Sequence, residues 1–160
     1  MRALGLWLSH IAVGVVGLVG GMYLLPILTA PEAPSGTAVQ QVVSNSDYQA
    51  SFARDRIDSD FLHWGEGTLS ISGEQIAFRG QLAAGPDYHL YLSPRYVETE
   101  TEFAELKAQM VDVGLVKSFD GFVLPLPPGI EVGNYAAAIV WCESFGEFIT
   151  SGRLIAVDNN

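Results

Sequence analysis

Hydrophobic and polar positions alternate along this chain in two distinct ways. Between residues 3 and 25 there is no charged side chain, and Ser9 and His10 are the only strongly polar interruptions. After residue 60 the apolar positions come in short runs bounded by turn residues. Residues 68–72 alternate polar and apolar, as a half-buried strand does, and so do residues 75–79 after a Gly73-Glu74 turn. Gly85-Pro86-Asp87 reads as a turn into an apolar strand at 88–92, closed by Ser93-Pro94. Thr99 followed by Glu102 predicts a capped short helix with Phe103, Leu106 and Met110 on one face. Further strands are expected at 111–117, 122–126 and 147–156. The run at 136–142 is the most apolar and reads as a central strand buried on both faces. Residues 37–56 are mixed, with a short strand or turn in 48–56. The pattern predicts an all-β fold: an antiparallel β-sandwich or barrel with one short helix, preceded by a single N-terminal transmembrane helix.

As a helix, residues 3–25 would span about 35 Å, enough for a hydrocarbon core of about 30 Å. A cleaved signal peptide has a shorter apolar region and small residues at its cleavage site. Here the best cleavage position, after Leu28-Thr29-Ala30, presents a bulky residue where a small one is wanted. The expectation is therefore an uncleaved signal anchor over 1–30, with secretion after cleavage as the alternative. Arg2 and the amino terminus supply positive charge on one side, and no Lys or Arg occurs on the other until Arg54. That asymmetry expects a single-pass plasma-membrane protein with a cytoplasmic N-terminus and an extracytoplasmic domain. A linker and lead-in then covers 31–49, rich in Pro at first, and the domain covers 50–158.

Charge narrows the function classes. Of 8 basic and 18 acidic residues, only Arg2 precedes residue 30, so the remainder carries a formal charge of −11. Such a surface repels phosphate backbones, and no nucleic-acid partner is expected. With 17 Gly, 8 Pro, 3 Trp, 6 Tyr and 8 Phe, the composition fits a turn-rich β core. The single cysteine, Cys142, excludes an internal disulfide and any zinc site needing two cysteines. No phosphate-cradling glycine loop, no Gly-x-Ser-x-Gly elbow and no His-Glu-x-x-His occurs, so no hydrolase or nucleotide-dependent constellation is present. Glu98, Glu100, Glu102 and Glu105 read as a solvated helix face rather than a calcium loop.

Three segments hold the remaining chemistry: 60–67 with His63 and Trp64, 85–94 with His89, and 139–146 with Trp141, Cys142 and Glu143. A free thiol outside the cytoplasm is unusual, because that compartment oxidises exposed cysteines. On an alternating strand Cys142 shares the face of Val140 and Ala138, where a thiol behaves as a small hydrophobe with a raised pKa. Trp141 and Glu143 share the other face. Imidazole, thiolate and the thioether of Met110 together would suit copper or haem iron. The bland reading makes each His a hydrogen-bonded packing residue.

The same segments, with Leu126-Pro127 between them, resemble the DM-thirteen domain family, the "electron transfer DM" domain. The matching positions are His63 and Gly67, Gly85-Pro86-Asp87 with Tyr88 and Tyr91, Leu126-Pro127, and Trp141-Cys142 with Phe145. The resemblance covers about residues 50–156. It implies a β-sandwich similar to DOMON domains and a redox role centred on Cys142, with His63, His89 and Glu143 as polar neighbours. No DOMON or cytochrome partner accompanies the domain in this chain, so an electron donor would be another protein. The competing expectation is a non-enzymatic binding or adhesion module for a glycan or protein, with Trp64, Tyr88, Tyr91 and Trp141 lining its surface.

Overall fold

The computed structural model describes residues 2–157. Its first element is helix α1 (Arg2–Thr29), whose side chains stay exposed along almost its whole length. The stretch Ala3–Thr29 is long and apolar enough to cross a membrane. The helix continues past residue 25, through Pro26, before the chain enters an irregular stretch at 30–35.

A second helix, α2 (Gly36–Ser44), follows where the sequence pattern suggests only a lead-in. The Ser35 side chain caps it by accepting from the Ala38 amide, and Val39 and Val42 form its buried face. Eight strands come next: β1 (Tyr48–Phe52), β2 (Gly65–Ser72), β3 (Gln75–Leu82), β4 (Tyr88–Ser93), β5 (Val111–Val116), β6 (Phe122–Pro125), β7 (Ala137–Cys142) and β8 (Glu147–Ala156). Helix α3 (Glu100–Leu106) lies between β4 and β5, with the Thr99 hydroxyl accepting from the Glu102 amide as the capping pattern predicts. The fold thus has two short helices beside the strands, one more than the pattern expects.

The strands form one sheet in the order β5-β4-β7-β8-β1-β2-β3-β6, and every neighbouring pair is antiparallel. Its edge strands β5 and β6 approach each other, so the sheet is a nearly closed barrel. Two devices curl it. Register shifts occur in the β4–β5 ladder at Leu90/Tyr91 and in the β7–β8 ladder at Val140/Trp141. Gly67 and Gly80 also face each other across β2 and β3, where a Cβ on Gly80 would meet the Glu66 carbonyl at 2.1 Å. Long β8 joins the two halves by pairing first with β7 and then, through Leu154–Ala156, with β1.

Inside the barrel Leu69, Ile71, Phe78, Leu90, Val140 and Ile149 are fully buried, with Phe78 packed against Phe52 and Phe122. Each short helix then covers part of the outer surface. Val39 and Val42 of α2 pack on Ala77 of β3. Phe103 and Leu106 of α3 pack on Tyr91, Ile139, Trp141 and Phe148. That second cover is why all six residues of β7 are buried, as its unbroken apolar run requires.

Candidate functional site at the barrel mouth

Strand β7 delivers Cys142 to one end of the barrel, pointing inward with Ala138 and Val140. Opposite it in the β4 ladder is Tyr88, also buried. The preceding turn builds the rim. Asp87 there adopts a left-handed backbone (φ 58°), a conformation Asp tolerates better than most residues. It is held by Glu143 N–H donating to its carbonyl at 3.0 Å and by the Ser144 hydroxyl donating to its carboxylate at 2.7 Å. This turn aims the Pro86 carbonyl at the sulfur, and Cys142 Sγ donates to it at 3.0 Å. A Cβ on Gly85 would lie 2.4 Å from the Tyr88 hydroxyl, so a side chain there would displace the Tyr88 ring.

A cavity of about 170 Å³ opens at this point, bounded by His63, Ala84, Gly85, Tyr88, Cys142 and Phe145. Cys142 is only 2% exposed, so the sulfur forms part of the cavity wall rather than the outer surface. Burial pushes its thiol pKa up. Backbone amides of Phe145 and Ser144 pull the other way, and the nearby Asp87 carboxylate adds to the rise. At neutral pH the sulfur is therefore a protonated thiol donating to Pro86.

His63 reaches the cavity from the loop before β2. Its Nδ1 lies 3.2 Å from the Asp60 carboxylate, and Glu147 is 4.0 Å away. Asp60 also accepts from the Leu62 and His63 amides at 2.7 Å each. Burial opposes ionisation of Asp60, yet those hydrogen bonds outweigh it and hold the carboxyl below its usual range. Of the residues singled out from sequence, His63 and Cys142 are thus brought to one cavity.

Tyr88 and Phe145 also line that cavity, whereas Trp64, His89, Tyr91, Trp141 and Glu143 sit elsewhere. His89 pairs with Trp141 in the β4–β7 ladder on the outer face, with Nδ1 2.9 Å from Asp112 and Nε2 3.6 Å from Asp87. Trp141 stacks on Phe103, with ring centroids 3.9 Å apart and planes within 9°. Glu143 accepts from the Tyr91 hydroxyl and from Lys107 Nζ, the latter at 2.6 Å. Burial tends to raise Glu143, but Lys107 and Tyr91 outweigh it and hold its pKa low. The same hydrogen bond, after burial, raises that of Tyr91. Trp64 lies under the Arg54 guanidinium, 3.3 Å from its ring centre. Tyr88, Tyr91 and Trp141 are all buried, so those aromatics present no shared surface for a glycan. Met110 packs against the outer cluster, away from Cys142. The proposed imidazole, thiolate and thioether set therefore does not converge on one point, and the arrangement fits neither copper nor haem iron. Among the acidic residues near α3, Glu98 is half-buried and ion-pairs with Arg56 at 3.3 Å rather than facing solvent freely.

Sequence reasoning missed Asp60, Lys107 and Asp112. Asp60 carries a local signal, three residues before His63, whereas Lys107 is 36 residues from Glu143 and Asp112 is 23 from His89. Searches of curated proteins and of solved structures gave no significant match. A family model does match, Electron transfer DM13, over residues 56–154, a span from just after β1 to near the end of β8 that includes His63, Pro86 and Cys142. The chain belongs to the DM13 electron-transfer domain family.

Proposed function

We propose that this chain is a membrane-anchored extracytoplasmic domain with a redox role, in which Cys142 is the group oxidised and reduced and the electron partner is another protein. The observation that carries the reading is the position of Cys142 Sγ in the wall of the barrel-mouth cavity. A small reactant entering that space, whether free or carried by a partner protein, meets the sulfur. Burial and a raised pKa also explain how a lone thiol stays reduced in an oxidising compartment: too little thiolate is exposed for adventitious disulfide formation. The anchor reading is supported by the apolar length of α1 and by Arg2 at its start.

The test is a mass measurement on the full chain in bilayers, treated with hydrogen peroxide and then with a small thiol. Peroxide delivers one oxygen to sulfur and leaves as water, giving a sulfenic acid. The thiol then displaces water to form a mixed disulfide, and a second thiol restores Cys142. The proposal expects one added oxygen on Cys142 in the folded protein, fully reversed by excess thiol. Oxidation seen only after unfolding would overturn the role of Cys142.

A further inference from the structure

Apart from α1, the described residues leave six large hydrophobic side chains exposed, and four of them gather at the Cys142 end of the barrel. Phe61 is 85% exposed, Phe145 53%, Leu62 41% and Leu115 38%. Leu62 and Phe145 border the Cys142 cavity, and Leu115 borders a neighbouring one that shares Gly85 and Pro86. Single exposed apolar residues are ordinary on any protein, but a cluster at loop tips marks a contact surface.

The far walls of both cavities are formed by α1. Val19, Met22 and Tyr23 line the cavity that Leu62 and Phe145 border, while Leu25, Pro26 and Thr29 line the one that Leu115 borders. Ala3–Thr29 is 27 residues long, about 40 Å as a helix, so it exceeds a hydrocarbon core of about 30 Å by several residues. Trp7 and Tyr23 lie about 24 Å apart along its axis, a few ångström less than that core, so each ring can reach the aromatic belt at its own interface. With Trp7 at one interface, Tyr23 marks the other, and Val19 lies just below it. Phe61, Leu62 and Phe145 then sit at the depth where headgroups meet acyl chains.

We propose that the barrel end carrying Phe61, Leu62, Leu115 and Phe145 seats on the outer surface of the bilayer that holds α1, so that the Cys142 cavity opens toward the lipid interface. This rests on the membrane-anchor reading above. The occupant of the apolar patch is the lipid of the protein's own membrane, brought there by continuity with α1 and by a tether of only six residues, 30–35. The contact is apolar, not electrostatic. Asp60 and Asp87 lie on the same rim, and the domain as a whole is strongly acidic, so attraction to anionic headgroups contributes nothing. A molecule reaching Cys142 would therefore be small and arrive by way of the interface.

The experiment places a nitroxide label, one at a time, at Phe61→Cys, Phe145→Cys, Val13→Cys and Glu74→Cys in a full-length Cys142→Ala chain. Each is reconstituted in phosphatidylcholine vesicles, and collision with oxygen is compared with collision with a water-soluble nickel chelate. Glu74, in the turn between β2 and β3, reports the opposite barrel end, and Val13 reports the middle of α1. The expected result is a shift toward oxygen over nickel at residues 13, 61 and 145, and none at residue 74. Lipid-like values at 13 with water-like values at 61 and 145 would overturn the seating and leave the anchor intact. Water-like values at 13 would overturn both. If Cys142→Ala does not fold, a Phe61→Trp chain that keeps Cys142 gives the same decision. Its added fluorescence should be quenched by brominated acyl chains, and unquenched added fluorescence contradicts the seating.

Discussion

At the scale of single residues, the chemistry of the barrel mouth is set by which side of β7 each side chain takes. Period-two alternation alone puts Cys142 with Val140 and Ala138, and the structure has all three inside the barrel. The turn that supplies Pro86 to the sulfur is readable too, as Gly-Pro-Asp, but its left-handed Asp87 and the ties from Glu143 and Ser144 are not. Nor are the partners of Glu143, since Tyr91 and Lys107 lie 52 and 36 residues away and no local spacing joins them. The ionisable groups make opposite predictions for pH. The Cys142 thiol is harder to ionise folded than unfolded, so its contribution to stability is whole below the free-thiol value of about 8.5 and is lost as pH rises above it. Glu143 is easier to ionise folded, so its contribution is present above about pH 4.3 and fades as pH falls through its lowered pKa. Denaturant titrations of wild type and Glu143→Gln should differ by about 1–2 kcal/mol at pH 7, and the difference should shrink progressively as pH is lowered below about 4.3, the figure being discounted for the partial exposure of Lys107.

At the scale of elements, α3 was legible and α2 was not. Thr99 and Glu102 announce a helix start, and Phe103 with Leu106 announces its buried face. In α2 the apolar positions amount to little more than one turn, flanked by Thr and Gln, and its helical state depends on Ala77 and Val123 beneath it. The choice between sandwich and barrel was likewise beyond periodicity. Closure rests on the bulges at Leu90/Tyr91 and Val140/Trp141 and on the facing pair Gly67 and Gly80, and none of these changes the count or spacing of apolar positions. Two substitutions test this account by chemical denaturation. Phe103→Ala removes the ring stacked on Trp141 and should cost about 3–5 kcal/mol. Gly80→Ala drives a methyl into the Glu66 carbonyl and the Gly67 Cα, and should cost about 3 kcal/mol or more. A cost near zero for Gly80→Ala would mean that the sheet does not bend there.

The whole molecule couples an apolar helix to an acidic barrel, and four of the six exposed large apolar residues described outside that helix gather at the end nearest it. The family match covers the barrel and leaves α1 outside it, so the anchor is a property of this chain to be tested on its own. The full chain should remain in the membrane fraction after an alkaline wash, and a chain beginning at residue 31 should not. Retention of the shortened chain through the wash would place the attachment in the barrel instead.

Whether the sulfur of Cys142 is reachable in the folded protein is decided by alkylation. The full chain in bilayers would be treated with iodoacetamide across a range of pH, and the modification of Cys142 followed by mass. Modification is expected without unfolding, slow at neutral pH, with a midpoint above the free-cysteine value of about 8.5 because burial disfavours the thiolate. No modification at any pH until the barrel is denatured would contradict it, and Cys142 would then be a packing residue of the core.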